Sequence, residues 1–365
     1  MREIGQVPDN FTNLQQFFEG AIKIHPDAPG RERLYLNFRD NIDAICRSGT
    51  AAGAQLVLCT LGDNLRDVSP FASLHRPGIT EKELLTWEAD FRAGCEAADP
   101  DSDAYDLEKV CFLFERAKEI DPDYAVLNYQ LAQCLLRLGN NEAALKNFIR
   151  ARDCDAFFVR ADSRINETIR RTAEDWSTRG AHLADTEALF ASASLNGIMG
   201  NDIFYDAVHV LFEGNYYIAL SVFNIVAKQI ATAKDTVRFS KALSLETCKQ
   251  QLGLSPFLEV SHMKDALEEL QKYQEFCSGM DSTFLEKRIT ETEATLDADA
   301  RDHAIQSLES ALPYWGDDFH IRKVIAMLLK GAGRDAEAQD TLEKIIQVYR
   351  EWPAAQNFKQ LMEQQ

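Results

Sequence analysis

The 365-residue sequence predicts a mainly α-helical protein with a small parallel α/β core. Three observations lead there. One continuous apolar run, AQLVLCTL over residues 54–61, is bounded by glycines and suits a strand buried on both faces of a parallel sheet. Elsewhere, apolar residues recur at helical spacing along most of the chain. Two stretches of that helical pattern repeat after 34 residues: Val110 and Ala144 hold equivalent places in one, Ala304 and Ala338 in the other.

In chain order, residues 10–25 (NFTNLQQFFEGAIKIH) put Leu14, Phe17, Phe18, Ala21 and Ile22 on one helical face, and the Pro26 to Gly30 stretch breaks it. A helix over Arg31–Arg47 is expected to bury Leu34, Phe38, Ile42 and Ile45. The apolar strand comes next. Gly62, Asp63 and Asn64 lie just past its carboxyl end, where open α/β sheets hold their ligands, so Asn64 is a candidate pocket-lining residue. From Glu81 the pattern becomes helical hairpins. Val110, Phe114, Ala117 and Pro122 mark one repeat; Leu131, Ala132, Leu135, Gly139, Ala144, Phe148 and Ala151 mark the next. These residues resemble the tetratricopeptide repeat, in which small side chains let two helices approach while large ones fill the groove. Residues 161–175 form a charged helix, and 181–185 a short last strand. A glycine-containing loop then leads to Asp206 and His209, followed by an apolar helix over Tyr216–Ala233. A second array closes the chain. It reads Ala304, Leu308 and Ala311, then Ile325, Ala326, Leu329, Gly333, Ala338, Leu342 and Ile345, with Trp352 and Pro353 opening a cap helix.

Composition narrows the partners. Lysine and arginine number 39 against 58 acidic residues, a net charge of −19, so nucleic acid and anionic membrane headgroups are poor partners. No apolar run reaches membrane-spanning length, and the opening MREIGQVPDNF lacks a signal peptide's apolar core; a targeting segment further upstream stays open. Cys46, Cys59, Cys95, Cys111, Cys134, Cys154, Cys248 and Cys277 are scattered singly, without C-x-x-C or metal-type spacing. They read as small buried hydrophobes in a reducing, cytoplasmic compartment, with no cofactor and no metal expected.

The candidate chemistry is Asp206 and His209. An aspartate three residues before a histidine, at the mouth of an apolar helix, can accept the imidazole N–H while the other ring nitrogen faces a nucleophile. The same spacing also serves as a helix cap or a solvated polar pair. Ser69 and Ser73 near His75 read as loop composition, lacking the sharp strand-to-helix turn that exposes a nucleophile. A metal on His209 with Asp202 and Asp206 would lack the further histidines a zinc hydrolase uses.

The block GNDIFYDAVHVLFEGNYYIA (residues 200–219) resembles the closing block of the SGNH (GDSL-type) hydrolases, in a bacterial group where that domain is joined to tetratricopeptide repeats. Phe204, Tyr205, Asp206, His209, Leu211, Phe212, Gly214, Asn215 and Tyr216 carry the match. Residues 57–77 and 151–170 look like two further blocks, so the resemblance spans roughly residues 31 to 230. It implies a partial SGNH, flavodoxin-like sheet, with His209 as general base, Asp206 orienting it, and Asn64 and Asn215 lining the pocket. The family's nucleophile sits in a Gly-Asp-Ser turn, and that tripeptide is absent from these 365 residues. The chain therefore reads as the C-terminal part of a longer hydrolase, or as a lineage that lost its chemistry.

Four segments follow from these readings: 1–80, partial SGNH-like α/β; 81–156, inserted helical hairpins; 157–235, the return to the α/β region with the D-x-x-H motif; 236–365, C-terminal helical repeats. The expected function is part of an ester- or acyl-cleaving hydrolase fused to repeats that bind a protein or peptide, inactive without its serine. The alternative is a non-catalytic scaffold that keeps the hydrolase core as structure.

Overall fold

Fifteen α-helices and two short strands organise the described residues, 23–98, 105–230, 241–274, 282–296, 299–315 and 318–364 of a computed structural model. The helix expected over residues 10–25 lies outside them except for 23–25, which are not helical. The chain divides into two compact units, Met1–Ser240 with Leu270–Asp281, and Lys241–Glu269 with Ser282–Gln365.

The first unit opens with α1 (Pro29–Ala51), which starts on a proline, where the missing N–H costs nothing. Its buried side chains are Arg31, Tyr35 and Cys46. The expected face is thus rotated: Leu34 is 42% and Ile45 60% exposed, while Phe38 and Ile42 still pack against Ile165 and Ile169. The cause is polar. Arg31 reaches Asp162 at 3.5 Å and Tyr35 donates to the same carboxylate, which turns those two residues inward.

Strand β1 (Leu56–Cys59) pairs in parallel with β2 (Ala181–Ala184), Leu56 opposite Ala181 and Cys59 opposite Ala184. The strand is shorter than its apolar run, and all four of its residues are half-buried. It is therefore not buried on both faces as expected. Leu56 and Leu58 pack against Cys46 of α1 and against Trp176.

Between the strands stand two helical hairpins: α2 (Glu81–Ala98) with α3 (Leu107–Ile120), and α4 (Ala125–Arg137) with α5 (Asn141–Asp153). Most of the residues expected at packing positions are buried there. Leu131, Ala132, Ala144, Phe148 and Ala151 are essentially inaccessible, as are Val110, Phe114 and Ala117 of α3. Asp106 and Asn140 cap α3 and α5 by accepting the amides of Lys109 and Ala143. The α4–α5 turn passes through Gly139 at φ 78°, a left-handed conformation that a side chain would strain.

After the hairpins come α6 (Ser163–Asp175), capped by Asp162, then β2, α7 (Thr186–Ala193) and α8 (Phe212–Ile230). Phe148 and Ala144 of the hairpin share a core with Phe190 of α7 and with Ile198, Met199, Ile203 and Phe204 of the loop before α8. That shared core fixes the loop carrying the D-x-x-H motif.

The second unit is helical throughout most of its described residues: α9 (Leu245–Gln251), α10 (Pro256–Gln274, of which the part to Glu269 belongs to this unit), α11 (Thr283–Glu293), α12 (Ala300–Trp315), α13 (Phe319–Gly331), α14 (Asp335–Val348) and α15 (Pro353–Gln364). The repeat positions again form the core, with Ala304, Leu308, Ala311, Ile325, Ala326, Leu329, Ala338, Leu342 and Ile345 all buried. Gly333, at φ 72°, plays in the α13–α14 turn the part Gly139 plays in α4–α5. The last helix begins at Pro353, as expected.

Candidate functional site

Residues 203–211 form a tight loop, not the start of a helix. Phe204 and Val210 make an isolated antiparallel bridge; Tyr205 N–H donates to the His209 carbonyl at 2.8 Å and Leu211 N–H to the Ile203 carbonyl at 2.7 Å. Inside this loop Asp206 uses both carboxylate oxygens. Oδ1 accepts the Val208 and His209 amides at 2.8 and 2.7 Å, and Oδ2 lies 2.7 Å from His209 Nδ1. This is an Asx-type turn with an imidazole added. Helix α8 starts only at Phe212, so the pair precedes it.

A second loop, leaving the carboxyl end of β1, holds the first in place. Asn64 N–H donates to the Ala207 carbonyl at 2.9 Å, and its side-chain amide donates to the Asp206 carbonyl at 3.2 Å and to Asn201 Oδ1 at 2.7 Å. Asn64 Oδ1 in turn accepts from Asp67 N–H at 3.0 Å. Arg66 spans the loops, 2.9 Å from Asp67 and 2.8 Å from Asp202. The structure thus brings Asn64, of the loop that follows β1, together with Asp206 and His209. Asn64 is fully buried and serves the loop's backbone. Asn215 is exposed in the first turn of α8, its amide directed to the Leu211 carbonyl at 3.4 Å, and makes no bond to the pair.

The imidazole itself faces outward: His209's side chain is 74% exposed against 18% for Asp206. With Nδ1 bound to the carboxylate, Nε2 is the nitrogen turned away from it, the arrangement a general base uses. The other serine–histidine group seen in the sequence is a structural joint. His75 Nδ1 lies 2.8 Å from buried Asp121 and its ring packs on Trp87 and Tyr124, while Ser73 Oγ accepts the Val126 amide. Ser69 donates to the adjacent Pro70 carbonyl.

Beneath the loops lies a buried ionic group that the sequence reading missed. Asp63 meets Arg152 at 3.0 Å and Arg160 at 3.9 Å, and Arg160 meets Asp155 at 3.3 Å while donating to the Asn64 and Val68 carbonyls. Burial pushes the Asp63 carboxyl up, against the pull of the two guanidiniums, and does the same to Asp155. Such a group ties the hairpins to the β1 loop, because removing one partner leaves an uncompensated buried charge. Its one sequence signal is charge amid aromatic neighbours in DAFFVRADSR.

Among the described residues no three His, Cys, Asp or Glu side chains are grouped to hold a metal ion, and Asp202 is engaged by Arg66 and the Leu195 amide. No described helix is long and apolar enough to cross a membrane. The seven described cysteines are unlinked.

The fold and site define a helical-repeat protein of tetratricopeptide-like hairpins with a small parallel α/β part. No family model matches the chain, and no curated protein matches it. Among solved structures, a thermophilic tetratricopeptide-repeat protein of Thermus thermophilus is 16% identical over 76% of this chain and 100% of its own, with a TM-score of 0.19. That score is too low to bear on the fold, which rests on the hairpins themselves.

Proposed function

We propose that this chain is a helical-repeat protein that binds a protein or peptide partner and does no chemistry alone. The observation that supports it is the pair of 34-residue hairpin patterns whose packing positions are buried in both units. Stacked hairpins of this kind present extended surfaces, and their buried code leaves the outer positions available for recognition. The hairpins of residues 81–156 are an insertion over the α/β part in this reading.

A second reading is favoured by one geometric fact, the 2.7 Å contact between His209 Nδ1 and Asp206 in a loop bonded to Asn64 of the segment that follows β1. On the SGNH resemblance, this is the base half of a site that cleaves ester or acyl bonds, with Asn64 positioning the loop. The nucleophile would come from a Gly-Asp-Ser segment outside these residues. A triad lacking its nucleophile keeps only a background rate, several powers of ten down.

A serine-directed fluorophosphonate tests the claim that this chain does no chemistry alone. The folded chain is expected to stay unlabelled. Labelling that disappears in His209→Ala would replace the binding reading with the hydrolytic one.

A further inference from the structure

We propose that Cys111 and Cys134 are an oxidation site: a hydroperoxide converts them to a reversible disulfide that staples the first helical hairpin to the second. Cys111 lies on α3 and Cys134 on α4, 23 positions apart, and their Sγ atoms stand 2.7 Å from each other. Sulfurs this close need to approach by only about 0.7 Å to reach the roughly 2.05 Å of a bonded pair. Among the described residues no other two thiols are in contact.

The two thiols have unequal surroundings, and the difference divides the work. Cys134 is 3% exposed and donates its S–H to the Leu107 carbonyl at 3.1 Å, which leaves the Cys111 S–H as the donor between the sulfurs. Cys111 is half-buried and follows directly on the helix face that ends at exposed Phe112, so it is the sulfur a dissolved oxidant reaches. An accessible thiol beside a buried resolving one is the arrangement that turns oxidation into a disulfide instead of a higher acid. Burial and the neighbouring thiol push Cys111 up to about 12, and burial raises Cys134 as well, so both stay protonated at neutral pH. The pair therefore answers sustained oxidant slowly.

The step balances with hydrogen peroxide as the oxidant. The Cys111 sulfur attacks one peroxide oxygen, the O–O bond breaks, and the thiol proton leaves with the other oxygen as water, giving a sulfenic acid. The Cys134 sulfur then attacks the sulfenic sulfur; the S–S bond forms, the S–OH bond breaks, and the hydroxyl leaves as water with the Cys134 proton. Two thiols have lost two electrons to one peroxide. A small thiol reverses the link by exchange.

The bond would cross a seam otherwise held by apolar packing. Helix α3 ends the first hairpin and α4 begins the second, and both cysteines belong to the core they share with Val110, Phe114, Ala117, Leu127 and Leu131. Closing the loop around the α3–α4 turn also removes freedom from the unfolded chain, so the oxidised form is the more stable one.

The test holds the full, folded and reduced chain in hydrogen peroxide at neutral pH, alkylates the remaining thiols and digests with trypsin without reductant. The expected product is the peptide of residues 110–116 joined to that of residues 119–137, each of which contains one cysteine. Dithiothreitol should separate the two, and Cys111→Ser should never yield the product. The oxidised chain should also melt several degrees above the reduced one, a shift absent from Cys111→Ser. If that variant does not fold, the linked peptide and the melting shift of the unaltered chain decide alone. Four results overturn the inference: both thiols remain alkylated after oxidation, Cys111 becomes a sulfinic acid while Cys134 stays a thiol, the links join other cysteines instead, or the linked chain melts no higher than the reduced one.

Discussion

At the residue scale, one side chain decides what the D-x-x-H loop can do. Asp206 spends one oxygen on two backbone amides and the other on His209, so the neutral imidazole is expected to carry its proton on Nδ1. Nitrogen NMR of the histidines should find His209 in that single tautomer at neutral pH or above, and Asp206→Ala should mix the two; a proton on Nε2 in the unaltered chain would contradict the geometry. A second residue-scale expectation concerns acid. Arg170 donates two bonds to Asp185 at 2.9 Å and, helped by Thr60, holds that carboxyl below the usual range. A carboxyl whose folded pKa is lowered stabilises the fold above its unfolded value, near pH 4, and that stabilisation fades as pH falls through the folded value. Arg170→Gln should therefore melt below the unaltered chain at pH 7, with the gap narrowing towards pH 3. A gap of full size at pH 3 would assign the loss to packing.

At the scale of elements, the hairpins were legible because their code is local. Small and large residues recur at fixed helical positions, and the same residues that set the 34-residue period form the cores. Both short strands were legible too, the first from its apolar run at glycine borders and the second as the short segment after Gly180. The α1 face was not, because its orientation depends on Asp162, far away in sequence, drawing Arg31 and Tyr35 inward. The loop before α8 was expected, but its Phe204–Val210 bridge was hidden for a related reason: Asn64 and a core shared with α5 and α7 hold these residues. The repeat code carries a quantitative expectation. Phe114 and Leu342 are both buried at repeat positions, one in each unit, so Phe114→Ala should cost about 3–5 kcal/mol and Leu342→Ala about 2–5 kcal/mol. Urea unfolding measures both, and losses under about 1 kcal/mol would show cores looser than the burial implies.

At the scale of the whole molecule, the chain divides into two compact units, each built mainly of helices among the described residues. The Asp206–His209 contact was readable from spacing and resemblance, whereas Asn64's part emerged only when the β1 loop was seen against residues 199–207. The buried ionic group of Asp63, Arg152, Asp155 and Arg160 left almost no sequence trace, since long-range pairing has no period. What the chain possesses in quantity is paired helices with buried small-residue seams and neutral or charged outer faces. The proposed binding role draws on that inventory, while the 2.7 Å contact of His209 Nδ1 with Asp206 is the geometry the hydrolytic reading draws on.

The measurement that tests this most directly is intact-mass spectrometry of the folded chain after exposure to a fluorophosphonate, with His209→Ala beside it. An unchanged mass for both is the expected result. A stoichiometric phosphonyl adduct on a serine of the unaltered chain, lost in His209→Ala, would contradict it and make the molecule a hydrolase in its own right.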